Sequence, residues 1–406
     1  MGRTMQRADS GTVVEVSGRA LAMAAAVTIA VAIFGLAWGF DRALGTFWLF
    51  GLAFGFVLQR SRFCFRAAYQ ELFLRRRARM LKAILAGLAV TTAGFGWVMY
   101  GRVAEPLLGF RPIEAHVVPL GLSVAVGGLL FGLGMVLSGG CLSRSMCHMG
   151  EGYVASWLTI GAVLVGLSLT AHTWNFWWLT DMQYRELVWM PNRLGYGGAL
   201  LLTFAALAVI GVIAHLWEAR GASAKDEPDT PVPPTSPLRR SRARVFGGAW
   251  PPVVGGVLLG ALNVALYVGY QPWGVTGELS RWADAAAGAI GLSAGPLLGV
   301  EWMPMGCMLS ESGGELLTQG LMLNVGLIVG SLVAALGSGE FRIRTSDGRY
   351  YARSIVGGVI MGYGAGLAVG CTIGGLFSAI PSLALNGWLF ALTLTLGAYV
   401  GFRIVD

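Results

Sequence analysis

The residues of this chain best suited to chemistry are its five cysteines, Cys64, Cys141, Cys147, Cys307 and Cys371. Cys141, Cys307 and Cys371 each follow a glycine directly. Each closes, or nearly closes, an apolar stretch and opens a small polar one: Cys-Leu-Ser-Arg, Cys-Met-Leu-Ser-Glu-Ser-Gly-Gly and Cys-Thr-Ile-Gly-Gly. Cys64 lies in Arg-Ser-Arg-Phe-Cys-Phe-Arg. A thiol is a weak hydrogen-bond donor and a soft acceptor, so it suits a sulfur-containing or otherwise polarizable solute. Any one of these cysteines is more simply read as a small buried hydrophobe. Cys141 and Cys371 stand apart because they hold matched positions of an internal repeat. Residues 126–141 read VGGLLFGLGMVLSGGC and 356–371 read VGGVIMGYGAGLAVGC, with eight identities in sixteen ungapped positions. Trp157 and Gly166 follow the first cysteine much as Trp388 and Gly397 follow the second. A weaker echo relates 55–64 to 299–307.

Charged neighbours extend the candidate set. Arg144 lies three residues after Cys141 in a Gly-rich break. An arginine at membrane depth is costly, which makes it a candidate holder of an anion; the competing reading is an arginine snorkelling to the membrane face. Arg62 and Arg66 can gather anions near an entrance, or serve only to fix orientation. Glu151, Glu278 and Glu301 are read first as interfacial, and second as buried partners or proton carriers. Cys147-His148 suggests a metal, but two ligands do not make a site, so no metal and no cofactor is expected. There is no P-loop lysine motif, so the chain is not by itself an ATP-driven pump.

These residues must be positioned by apolar elements. Of the 406 residues, 55% are hydrophobic and only 12% charged, about half the charge of a soluble domain. Mean hydropathy is +0.65. The 61 glycines fit a bundle in which small residues let helices approach closely. Gly128/Gly132 and Gly358/Gly362 read as two such faces. Clear apolar segments fall at 21–39, 81–99, 121–137, 154–169, 197–213, 253–268, 321–336, 355–369 and 383–400, with shorter ones at 47–58 and 285–300. The expected fold is an all-α integral membrane protein of about 9–12 helical segments in two pseudo-symmetric halves, with short re-entrant or broken helices meeting at the centre. Trp174, Trp177, Trp178 and Trp189 read as an interfacial aromatic belt.

Residues 1–217 form the first membrane half, 218–250 a polar, Pro- and Arg-rich linker, and 251–406 the second half. The formal charge of +8 sits mostly in inter-span stretches, which argues for the positive-inside pattern and against a nucleic-acid partner. Residues 60–82 hold eight basic residues, which places them, the N-terminus and the linker on the cytoplasmic side. Arg342, Arg344, Arg349 and Arg353 also favour that side, which requires 285–300 to enter and leave on one face.

Four stretches together resemble the YeeE/YedE family of bacterial inner-membrane proteins: RSRFCFRAAYQELF at 60–73, SGGCLSRSMCHMGEG at 138–152, PWGVTGELSRW at 272–282 and VGCTIGG at 369–375. The resemblance spans both halves. It implies a multi-pass bacterial inner (cytoplasmic) membrane protein that takes up thiosulfate or a related sulfur anion along a central path lined by thiols. By motif it implicates Cys64, Cys141 and Cys371, with Cys307 a weaker match; the family's YedE branch is associated with selenium compounds. Two other functions compete. One is a membrane thiol oxidoreductase or persulfide-transfer protein, against which the lack of Cys-x-x-Cys counts. The other is a membrane subunit that recruits a soluble sulfur-carrier protein.

Overall fold

A computed structural model describes residues 13–14, 18–220, 246, 248–300 and 317–405. Cys307 and Glu301 lie outside the described residues. In a bilayer every backbone polar group must be satisfied within its own segment, which favours helices. The first half contains α1 (Arg19–Phe40), α2 (Arg42–Ser61), α3 (Phe65–Leu74), α4 (Arg79–Arg102), α5 (Leu122–Ser138), α6 (Leu142–Glu151), α7 (Val154–Thr180) and α8 (Pro191–Ala219). The second contains α9 (Pro252–Gly269), α10 (Thr276–Ala289), α11 (Gln319–Ser338), α12 (Gly348–Leu367), a π-helical turn (Thr372–Ser378) and α13 (Leu385–Val405). Strands are confined, among the described residues, to a two-residue antiparallel pair, β1 (Val13–Val14) with β2 (Ile343–Arg344). Among the described residues, nine helices are long and apolar enough to cross a membrane, or ten if α12 and the π-helical turn, bent by 44°, form one span.

Glycines set the packing. A Cβ on Gly132 would strike the Leu394 carbonyl, and one on Gly397 the Leu129 carbonyl, so α5 and α13 lie backbone to backbone. In the same way Gly362 fits against Val163 and Gly166 against Val359, which joins α12 to α7. Both pairs run in the same direction, since contacts advance together along the two helices. By contrast Gly127 meets Gly364 and Ala368 while Gly134 meets Gly357 and Met361, so α5 and α12 run antiparallel. The other group of helices repeats this arrangement: Gly51 and Gly55 of α2 pack on Leu323 and Leu327 of α11, and Gly87 of α4 packs on Gly256 of α9. Such contacts replace side-chain volume with van der Waals approach, the main source of helix association in lipid.

The second half corrects one expectation about the path of the chain. The stretch that turns back is 270–289, not 285–300. After α9 the chain folds inward, so that the Trp273 amide donates to Asn263 Oδ1 in the middle of α9 (2.8 Å). Asn324 of α11 donates to the Val275 carbonyl (3.1 Å) and Ser378 to the Trp273 carbonyl (2.8 Å). From there α10 begins beside the start of α11, where Thr318 donates to Glu278 Oε2 in the first turn of α10 (2.7 Å). Residues 290–300 instead cap α7, with Trp174 Nε1 bonded to the Leu298 carbonyl (2.8 Å). This route brings Glu340 and Arg344 back to the end that holds Arg62, where Arg62 pairs with Glu340 (2.9 Å). Trp174 and Trp189 are buried anchors rather than members of a lipid-facing belt; Trp189 Nε1 donates to the Ser382 carbonyl (2.8 Å).

The loop between α4 and α5 seals the opposite end. Its His116 is buried, its ring Nε2 has no partner among the described residues, and its backbone N–H donates to Ser382 (3.1 Å). Burial disfavours the charged ring and pushes its pKa down to about 4. The unfolded chain therefore takes a proton near pH 6.5 that the folded protein refuses until about 4. Stability is fully present above pH 6.5 and falls progressively as the pH drops through that window. Thermal unfolding in detergent from pH 7 to pH 4 is expected to show this decline, and His116→Gln should flatten it. An unchanged pH slope in His116→Gln would reject the assignment.

Candidate functional site

Three spans are broken at a cysteine, and the breaks share one geometry. Arg62, Gly139 and Val369 all adopt left-handed backbone, with φ of 50°, 88° and 51°. Each stands two residues before a cysteine: Cys64, Cys141 and Cys371. In each case the cysteine is extended and is the N-cap of the next helical piece, α3, α6 or the π-helical turn. The chain thus ends one helix, reverses through a left-handed residue and starts another with a thiol at its head. Left-handed backbone is easy for Gly139 but costs a β-branched residue such as Val369 about 1–3 kcal/mol, a strain typical of functional positions.

The breaks meet. The Cys64 and Cys141 sulfurs lie beside one another. Cys141 Sγ also lies 3.6 Å from Ser143 Oγ and beside the Thr372 hydroxyl. Cys371 Sγ accepts from the Ile373 amide (3.4 Å) and lies beside the Thr276 hydroxyl at the start of α10. Cys64, Cys141 and Cys371 are all buried. The result is a string of thiols and hydroxyls in which each sulfur heads a helical piece. First-turn N–H groups, those of Ala67 and Arg144 among them, face the Cys64 and Cys141 sulfurs. Helix N-termini carry partial positive charge and free N–H groups, a setting that favours anions.

Below this string lies a buried ion pair. Arg144 Nη2 is 3.2 Å from Glu151 Oε1, with both side chains about nine-tenths buried. Arg144 Nη1 also approaches the Leu58 carbonyl (3.5 Å) and Cys147 Sγ (3.4 Å). Arg144 is therefore neither snorkelling nor unpaired. Cys147 Sγ donates toward Glu151 Oε1 (3.7 Å), and His148 stacks on Tyr153, with ring centroids 4.5 Å apart. Among the described residues no three His, Cys, Asp or Glu side chains converge as a metal site would require. Arg62 is largely exposed and paired with Glu340 (2.9 Å). Arg66 bonds to Gln70 Oε1 (3.1 Å) and lies over the Phe402 ring. An apolar cleft of about 340 Å³ opens between α3, α4, α8 and α13 beside Phe65, Leu85, Leu207 and Trp388. Its lining residues carry no charge, and Tyr69, Thr395 and Trp388 supply its few polar side-chain groups, so it is unsuited to an anion.

The sequence profile described as sulphur transport matches residues 60–400, which include all three breaks. The chain belongs to the sulphur transport family. Its relatives agree with the expected YeeE/YedE grouping. The thiosulfate transporter TsuA of Escherichia coli (strain K12) is 27% identical over 356 residues, covering 87% of this chain and 92% of that protein. The thiosulfate transporter TsuA of Spirochaeta thermophila is 29% identical over 371 residues, covering 87% and 98%. A probable transporter, YedE of Salmonella typhimurium, is 33% identical over 178 residues, 44% of this chain and 42% of its own length. A multi-pass, sulphur-transport membrane protein is thus the setting for the site.

Sequence reasoning found the cysteines but not everything around them. It read Glu151 and Glu278 first as interfacial; both are buried, and Glu278 accepts from Trp282 Nε1 (2.8 Å) and Thr318. It also missed Thr276 and Thr372. The signal available was weak: Thr372 directly follows Cys371, and Thr276 sits in the PWGVTGE motif.

Proposed function

We propose that this protein carries thiosulfate, or a closely related sulfur-containing anion, through the bacterial inner membrane along Cys64, Cys141 and Cys371. The observation that supports the reading is that three thiols are buried at three helix breaks, with Cys64 beside Cys141 and Cys141 beside the Thr372 hydroxyl that follows Cys371. Two relatives named as thiosulfate transporters over most of their length supply the solute. The terminal sulfur of the anion meets thiols in turn, and first-turn N–H groups meet its oxygens. Arg144, beside Cys64, adds positive charge at the lower end of the string; Cys307 is a further candidate contact.

The packing supports inverted repeats. The repeat-matched helices α5 and α12 run antiparallel, and matched glycines Gly166 and Gly397 make matched contacts. Inverted halves with broken helices at their interface are a common transporter plan. The end bearing Arg62 and Arg344 is proposed to face the cytoplasm, which puts Arg62 and Arg66 at the inner mouth. The site needs no bound cofactor for this function. A soluble sulfur-carrier protein is a candidate acceptor at that mouth.

One observation favours a second reading: the Cys64 and Cys141 thiols are neighbours. A thiol oxidoreductase would cycle them through a disulfide, the two electrons and two protons passing to a quinone or to a partner's disulfide, visible as a reversible loss of two alkylatable thiols. The deciding experiment is uptake of radiolabelled thiosulfate into proteoliposomes without any partner protein. Wild type should accumulate it, and Cys141→Ala and Cys371→Ala should lose uptake while still inserting. Normal uptake by either variant would reject the thiol path; failure of well-inserted wild type would move the proposal to a selenium compound or to a required partner.

A further inference from the structure

Buried polar groups in native structures are nearly always hydrogen-bonded, and each exception calls for an explanation. Several exceptions gather where the re-entrant turn meets the π-helical turn. Thr276 Oγ1, Thr372 Oγ1 and Trp273 Nε1 are buried, and none has a hydrogen-bond partner among the described residues. Their placement follows the thiol string: Thr372 borders Cys141, and Thr276 borders Cys371. Trp273 opens the same turn that leads into Thr276, its ring stacked on Phe54 at 3.9 Å. The turn is held from several sides, by Asn263, Asn324 and Ser378. Thr276 is also the first residue of the fourteen-residue α10, whose opening N–H groups lie beside it.

Unpaired hydroxyls held on a braced backbone are poor packing and good ligands. A thiol matches the soft end of a sulfur oxyanion and poorly matches its oxygens. Resting on the transport reading above, we propose that Thr276 and Thr372, with the indole N–H of Trp273, hold the oxygens of the transported anion while the thiols hold its sulfur. Selection would then have two parts. The cysteines favour a terminal sulfur, and the hydroxyls require oxygens opposite it. A site built to hydrogen-bond its ligand rejects analogues that leave those groups unpaired.

The test measures binding separately from transport. Purified protein is alkylated with N-ethylmaleimide, and modification of Cys371 is followed by mass spectrometry while thiosulfate is titrated as protectant. Thr276→Val and Thr372→Val keep the shape and remove the hydroxyl, and Trp273→Phe keeps the stacked ring. Each is expected to raise the half-protecting concentration about tenfold, the effect of one hydrogen bond to a charged ligand. Thr276→Ser and Thr372→Ser should protect like wild type, which separates a lost hydroxyl from a damaged fold. Wild-type protection by thiosulfate with no change in the Val variants would overturn the inference and leave the transport reading intact. Absence of thiosulfate protection, with hydroxyl-dependent protection by sulfite or selenosulfate, would overturn the thiosulfate reading and support this inference. No protection of wild type by any of the three would overturn the inference.

Discussion

Glu151→Gln is expected to be among the most damaging single substitutions in the chain, although it removes no volume. Glu151 is the carboxylate that faces Arg144 in the interior (3.2 Å), with His148 Nε2 a further 3.8 Å neighbour. Taking the charge from Glu151 leaves a buried guanidinium among neutral groups such as the Leu58 carbonyl and the Cys147 thiol. Breaking a buried pair in this way costs about 3–5 kcal/mol, because the surviving charge stays desolvated and unmatched. The expected result is a steep loss of monodisperse protein in detergent and a clearly lower unfolding temperature. Replacing both partners, Arg144→Met with Glu151→Gln, should restore most of that loss, since a neutral pair of similar volume is often as stable as the ionic one. A Glu151→Gln protein as stable as wild type would reject a dominant role for the pair.

The double variant also settles what the sequence left open about Arg144. In proteoliposomes it should be well folded yet slower, with uptake lower by about tenfold or more, the scale of one lost charge-assisted contact. Uptake equal to wild type would make Arg144 a structural partner of Glu151 alone and remove it from the anion's route. That outcome would leave the thiol string untouched, because none of the three cysteines depends on Arg144 for its place in the backbone.

Which features were legible in the sequence follows from how each is encoded. Spans are written in long apolar runs, and the breaks at Cys141 and Cys371 in matched glycines, so both could be read directly. Glycine spacing foretold the close packing of Gly132 and Gly362. The break at Cys64 is less visible, because no glycine precedes the cysteine there: Arg62 takes the left-handed backbone and Phe63 stands where Gly140 and Gly370 stand in the other two. The re-entrant turn at 270–275 was misplaced for a physical reason. It holds Pro272 and Trp273 with little apolar length, so hydropathy passes over it; tertiary hydrogen bonds from Asn263 and Asn324 hold it in the interior. Glu151 was read as interfacial because a carboxylate usually is, and its partner lies two helical turns back on α6, a spacing that gives no ion-pair signal at i,i+4. Thr276 and Thr372 both lie in the second half but far apart in sequence, and only the folded chain brings them to the same thiols.

The repeat makes a second prediction that does not depend on the solute. Gly166 and Gly397 stand at corresponding places, and a Cβ at either would run into backbone, Val359 of α12 in one case and Leu129 of α5 in the other. Backbone cannot step aside as a flexible side chain can. Gly166→Val and Gly397→Val should therefore each cost about 3 kcal/mol, the upper range for overpacking, and together they should prevent folding. Gly161→Val is the control: it lies on α7, yet a Cβ there meets open space, so it should unfold in detergent at nearly the wild-type temperature. The milder substitutions Gly166→Ala and Gly397→Ala separate packing from transport. Each pushes on a helix that ends at a cysteine, α12 before Cys371 and α5 before Cys141. Both should reduce uptake by similar factors if the two thiols are used in series, because a displaced thiol at either point interrupts the same route. A large loss from one and none from the other would show that only one half carries the anion.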